Sequence, residues 1–140
     1  MGEIAREHFY ERLERAPHAA RGFFESIYEH FQRDNMVVPH HTDTNGGDLR
    51  LAIPGAVLGQ KRLRNFATMY WQTRNQLVFS RTYLTPDELA VMGFSGASKP
   101  ASDTEPLGSE IRLGEEIWRY GAREFIRALE MAKIKFLEAN

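Results

Sequence analysis

The spacing of apolar residues changes twice along this chain of 140 residues, and the changes mark where one kind of secondary structure gives way to another. In residues 3–33 apolar side chains recur every three or four positions, which predicts two amphipathic helices separated near Pro17. From Met36 they alternate, which predicts strands. From Gly114 to Ala139 the helical spacing returns and predicts one long helix.

The alternating region contains two candidate hairpins. The residues Asn45-Gly46-Gly47 separate the first two strands, and such residues adopt the positive φ angles of tight turns. Two further strands meet across Thr73-Arg74-Asn75. The sequence therefore predicts an α+β domain, in which an antiparallel sheet of about four strands (two hairpins) carries two N-terminal helices and a long C-terminal helix packed on one face.

Two shorter segments lie between the second hairpin and the last helix. Thr85 and Glu88 have the spacing of a capping box around Pro86, which predicts a short helix over 86–91. The following stretch is rich in glycine, serine and proline, which predicts a flexible loop at about 93–109. With no internal repeat, residues 1–140 are predicted to form a single globular domain.

The composition excludes several kinds of site. The chain has no cysteine, which excludes disulfides, thiolate zinc sites and cysteine nucleophiles. It has no run of about 18 apolar residues, the length that a membrane span needs, and its charged amino terminus lacks the apolar core of a signal peptide. We therefore expect a soluble cytoplasmic protein that does not engage a membrane.

Charge is distributed unevenly along the chain. All acidic residues lie outside residues 49–86, so the middle is cationic although the formal net charge is −1. Such an asymmetry favours an anionic partner. The basic residues of this segment are Arg50, Lys61, Arg62, Arg64, Arg74 and Arg81.

The second hairpin predicts where a nucleic acid would bind. A turn at Arg74-Asn75 would place Tyr70 opposite Phe79 and gather aromatic rings and arginines on one face. Rings that stack on bases beside arginines that contact phosphates are typical of single-strand binders. The alternative is that these aromatics form the core and the arginines its rim. The candidate nucleic-acid-binding residues are Arg62, Arg64, Arg81, Lys61, Arg74, Tyr70 and Phe66.

The first hairpin offers a candidate metal site. Either two-residue turn places His41, Asp43 and Asp48 on one face with Arg50, while Leu49, Leu51, Ile53 and His40 share the other, more apolar face. Two carboxylates and an imidazole can hold a divalent cation. The alternative is a solvated face with an Asp43–Arg50 ion pair. We expect His40 to be a hydrogen-bonded structural histidine.

Three functions are consistent with these patterns. The first is a small binding module, without a cofactor, whose cationic central hairpin region engages an anionic partner, with nucleic acid as the leading candidate. The second is a small metal-dependent hydrolase or nuclease that uses His41, Asp43 and Asp48 with a divalent metal. The third is a protein-binding or regulatory domain that acts through its long C-terminal helix on a protein partner or a second copy. No catalytic motif is present, so an enzyme is the less favoured interpretation.

Overall fold

The computed structural model describes residues 6–40, 48–71, 78–82, 84–94, 109–112 and 122–140. Among the helices of these ranges, none combines the length and the apolar content that crossing a bilayer needs. The helices are α1 (Arg6–Leu13), α2 (Arg21–Gln32), α3 (Pro86–Val91) and α4 (Arg123–Ala139). The strands are β1 (Val38–His40), β2 (Leu49–Ile53), β3 (Arg64–Tyr70), β4 (Val78–Thr82) and β5 (Ser109–Arg112).

The strands form one antiparallel sheet in the order β1-β2-β3-β4-β5, so the α+β class is confirmed. The predicted number of about four strands was wrong, because β5 pairs with β4 where the end of a loop was expected. This strand is four residues long and contains one apolar residue, Ile111, so it has too little alternation to be recognised. Residues 95–108 of the predicted loop and 114–121 of the predicted last helix lie outside the described residues.

In both hairpins the observed register differs from the predicted ones by an odd number of residues. His40 lies opposite Arg50 in the first, and Met69 lies opposite Phe79 in the second. In a hairpin with a two-residue turn, an even number of residues lies between any two paired residues. Between His40 and Arg50, and between Met69 and Phe79, the number of residues is odd. Because side chains alternate along a strand, a shift of one residue exchanges the faces. The predicted groupings of His40 with Leu49, and of Phe79 with Tyr70, are therefore wrong.

A β-bulge in β3 changes the faces once more. Leu51 pairs with Ala67, but the next residue of β2, Ala52, pairs with Asn65, so Phe66 is an extra residue in β3. Phe66 is 2% exposed and Ala67 is 1% exposed, and both belong to the hydrophobic core. The bulge thus directs two consecutive side chains towards the core.

The core lies between the sheet and the helices α1, α2 and α4. Aromatic rings make up much of it: Phe9 stacks on Tyr28 with ring centroids 3.9 Å apart, and Phe24 lies 4.6 Å from Trp71. The apolar spacing in the sequence predicts eight core residues, of which Ile117 lies outside the described residues. The other residues expected in the core are all fully buried: Phe24, Ile27, Phe31, Leu49, Leu51, Phe125 and Leu129.

The short helix α3 begins at the predicted capping box. The Glu88 backbone N–H donates to Thr85 Oγ1 over 3.2 Å, and the Thr85 backbone N–H donates to Glu88 Oε1 over 3.0 Å. Glu88 also accepts a hydrogen bond from Lys135 of α4. The Glu88 carboxylate therefore completes the N-terminal cap of α3 and also links α3 to the C-terminal helix α4.

An ion pair joins α4 to the end of α2. Lys133 Nζ lies 2.6 Å from Asp34 Oδ2 and 2.7 Å from Glu130 Oε1. Burial tends to raise the pKa of Asp34, but the hydrogen bonds from Lys133 and from the Met36 N–H outweigh it and hold the pKa below its ordinary value. Burial tends to lower the pKa of Lys133, but its two carboxylate partners raise it above its ordinary value.

Replacing Phe125 by Ala should lower the free energy of unfolding by about 3 kcal/mol, because a fully buried ring that packs on Phe23 and Phe94 would leave a cavity. Urea unfolding followed by circular dichroism measures this loss. Met131→Ala on the same helix is the control, since Met131 is 41% exposed. Equal effects of the two substitutions would mean that α4 presents a different face to the core.

Asp34→Asn should destabilise the protein by about 2 kcal/mol at pH 7, because it removes the charge that Lys133 contacts. The folded pKa is depressed, so the contribution of Asp34 is complete above its unfolded pKa of about 3.9 and is lost as pH falls through the folded pKa. Urea unfolding of both proteins at pH 7, 5 and 3 should show the difference closing at the acid end. The exposed Glu138→Gln is the control, and a difference independent of pH would contradict this assignment.

Candidate functional site

The exposed basic side chains of the cationic segment lie at the end of a tightly closed loop before β3. Its 3-10 helix, Gly55–Leu58, ends at Gly59, whose φ of 70° is in the left-handed region. The Gln60 backbone N–H then donates to the Gly55 carbonyl over 2.7 Å, which brings the chain back on itself. A Cβ at Gly55 would lie 2.4 Å from the Arg62 carbonyl oxygen, so only glycine fits there.

We call residues 54–62 the basic loop. Lys61 and Arg62 are adjacent and exposed at its end, and neither forms an ion pair with another residue of the described ranges. The nearest carboxylates in sequence are Asp48 and Asp87. Two cationic groups are thus held on a fixed backbone within a stretch of chain that has no acid, an arrangement that attracts anions.

Two other predicted binding residues lie elsewhere. Arg64 is half-buried; its guanidinium lies 5.6 Å from the centre of the Phe136 ring, and it donates to Gln60 Oε1 over 2.6 Å. Phe66 is in the core, 6.1 Å from the Phe31 ring by centroids. These contacts attach β3 to α4 and α2, and a ring this deeply buried has no face on which a base could stack.

The remaining predicted binding residues are described in part or not at all. Tyr70 lies in β3 opposite Val78, and Arg81 lies in β4, while Arg74 lies outside the described residues. The observed register separates Tyr70 from Phe79, which pairs with Met69. Tyr70 and Phe79, which were predicted to share one sheet face, therefore lie on opposite faces.

Asp48, predicted as a metal ligand, is 1% exposed, and its carboxylate interacts with two other residues of the protein. Its Oδ2 accepts a hydrogen bond from the Trp71 backbone N–H over 2.6 Å, and its Oδ1 lies 3.2 Å from the Arg12 guanidinium. The indole N–H of Trp71 in turn donates to the Arg12 carbonyl over 2.9 Å. We call these three residues the Asp48 junction, which joins the end of α1 to the start of β2 and the end of β3.

The other two predicted metal ligands, His41 and Asp43, lie outside the described residues. Within the part of the chain that the structure describes, no three histidine or acidic side chains are grouped as metal ligands would be. The metal site therefore stays a prediction, and the interactions observed for Asp48 are those of a buried structural carboxylate.

The sheet also carries a row of polar residues that the sequence did not predict. Cross-strand pairing aligns His40, Arg50, Thr68, Ser80 and Glu110, one from each strand; we call this set the polar row. The adjacent row is apolar throughout. It consists of Leu49, Met69, Phe79 and Ile111.

The polar row was missed because it depends on register. His40 was assigned to the core face and Arg50 to the opposite one, and they are partners only because an odd number of residues lies between them. The signal available in the sequence is that every strand has a polar residue near its middle or end, beside an apolar one. Such a signal becomes specific only when the pairing is known.

Comparison with protein-family models, with curated proteins and with solved structures found no match to this chain.

Asp48→Ala should lower the free energy of unfolding by about 3 kcal/mol even in EDTA, because it leaves the Arg12 charge and the Trp71 N–H without their buried acceptor. Asp48→Asn, which keeps an acceptor for Trp71, should lose less. Thermal and urea unfolding in EDTA, and again with Mn²⁺ or Mg²⁺, separate this role from metal binding. Unchanged stability of Asp48→Ala in EDTA, together with a metal-induced rise in Tm confined to the wild type, would favour the metal site.

Proposed function

We propose that this protein is a small binding module for an anionic partner, with single-stranded nucleic acid as the leading candidate, and that the basic loop is its primary contact. The observation that carries the proposal is the pair of exposed, adjacent cations Lys61 and Arg62 on a closed loop. The absence of acid from residues 49–86 supports it, since no carboxylate of that segment repels a phosphate.

The backbone contacts that close the loop support this proposal as well. Gly55 is buried against the backbone of Arg62, and the Gly55–Gln60 hydrogen bond closes the loop. A backbone that is already ordered loses little entropy when a ligand binds, so two surface charges contribute more than they would on a mobile segment. Phosphates are well suited to such a site, because much of their affinity comes from the release of counterions.

The binding surface proposed here is smaller than the one predicted from sequence. Phe66 belongs to the core and Arg64 to the contact with Phe136, so the described part of the surface consists of Lys61 and Arg62. Tyr70 and Arg81, on neighbouring strands, remain candidates for extending it. Electrostatic contacts thus predominate, which predicts weak sequence preference and strong dependence on salt.

Replacing Lys61 and Arg62 together by Ala should weaken binding to a fluorescein-labelled single-stranded oligonucleotide. The slope of log affinity against log salt should become shallower by up to about 1.4, the value for two lost contacts with a single strand. Fluorescence anisotropy at several salt concentrations measures both quantities.

The matched control is Arg123→Ala with Arg127→Ala, which removes the same charge from exposed positions of α4. Equal losses in the two double variants would show that net charge, and not the basic loop, governs binding. If the wild type does not bind at low salt, the proposal fails, and the protein-binding alternative, for which Met131 and Ile134 are exposed on α4, becomes the favoured one.

A further inference from the structure

The outer face of α4 carries a narrow stripe of exposed side chains. Between Arg127 and Glu138 the exposed residues of this helix are Arg127, Met131, Ile134 and Glu138; we call these four the α4 stripe. They are separated by four, three and four positions, so they follow one line along the helix over about 17 Å. The centre of the stripe is apolar, since Met131 is 41% exposed and Ile134 is 46% exposed.

The stripe has a cation at one end and an anion at the other. Arg127 and Glu138 form no ion pair with another residue of the described ranges. The charged residues that lie between them on α4 are, in contrast, all paired within the chain. The two charged ends of the stripe can therefore contact another molecule without breaking an ion pair of the fold.

The order of these side chains is complementary to its own reverse. When two copies of α4 lie antiparallel and are aligned at the middle of the stripe, Met131 of each copy faces Ile134 of the other. In the same alignment, Arg127 of each copy faces Glu138 of the other. Two apolar pairs thus form the centre of the contact, and an opposite-charge pair lies at each end. A parallel arrangement would place like charges together at both ends, which repulsion disfavours.

The charge of the whole chain is compatible with contact between two copies. The formal net charge is −1, so the overall repulsion between copies is small. A purely anionic or purely cationic partner would match only one end of the stripe. A second copy matches both charged ends and also covers the apolar centre, so charge complementarity favours it as the occupant of this face.

We propose that the α4 stripe is the interface of a symmetric homodimer in which the two α4 helices pack antiparallel. This interface is independent of the basic loop, because neither Lys61 nor Arg62 belongs to the stripe. A contact along one helix is at the low end of interface sizes, so the dimer forms reversibly and only at high protein concentration. The unfolding and oligonucleotide measurements described above are therefore made at concentrations at which the chain is monomeric.

The test exchanges the charges at the two ends of the stripe. Sedimentation velocity over a wide range of protein concentration should show the wild type passing from monomer to dimer. Arg127→Glu alone and Glu138→Arg alone should each weaken the dimer at least about tenfold, because like charges then face each other. An equimolar mixture of these two variants should dimerise again, and so should the double variant, because every charged pair is then restored with opposite signs.

The matched control is Arg33→Glu, which makes the same change of charge at an exposed position beyond α2 and should leave the dimer unchanged. The Lys61→Ala, Arg62→Ala protein should also still dimerise, which separates this interface from the basic loop. A wild type that stays monomeric at the highest concentration would overturn the proposal. So would a dimer that both charge reversals leave intact, or one that they weaken and mixing does not restore. If a charge variant does not fold, Ile134→Ser decides, since it should weaken the dimer by removing the apolar centre.

Discussion

The Asp48 junction is the interaction on which the rest of the structure depends. A carboxylate that is 1% exposed accepts from the Trp71 backbone and lies beside the Arg12 guanidinium, and the Trp71 indole returns a hydrogen bond to the Arg12 carbonyl. Asp48 also donates its own N–H to Met69. The junction therefore fixes the first helix, the second strand and the third strand relative to one another. The Trp71 ring also contacts the rings of Phe9 and Phe24 in the core.

The helices could be predicted from the sequence because their signals are local. The capping box at Thr85 and Glu88 gave α3 its bounds, and the spacing of Phe24, Ile27 and Phe31 gave α2 its buried face. These features depend on residues within one or two turns of each other. Helix ends and amphipathic faces are therefore accessible from one sequence.

The arrangement within the sheet could not be predicted, because it depends on pairing between strands distant in sequence. The Asn-Gly and Gly-Gly pairs suggested two-residue turns, but the observed partners have an odd number of residues between them, which places His40 beside Arg50. The extra residue Phe66 then changed the face of its neighbours in β3. As a consequence, Phe66 of the predicted nucleic-acid surface is part of the core, while the polar row emerged from residues that had been assigned to different faces.

Because Gly55 approaches the Arg62 carbonyl so closely, the residues that determine the backbone conformation of the basic loop differ from those whose side chains face the solvent. Its backbone conformation rests on Gly55, Gly59 and one main-chain hydrogen bond, none of which involves the side chains of Lys61 or Arg62. Position 55 is therefore closed to substitution during evolution, while the charges at 61 and 62 can be gained, lost or reversed at little cost in folding. Relatives of this chain could thus keep the same scaffold and differ in the sign of the partner they bind.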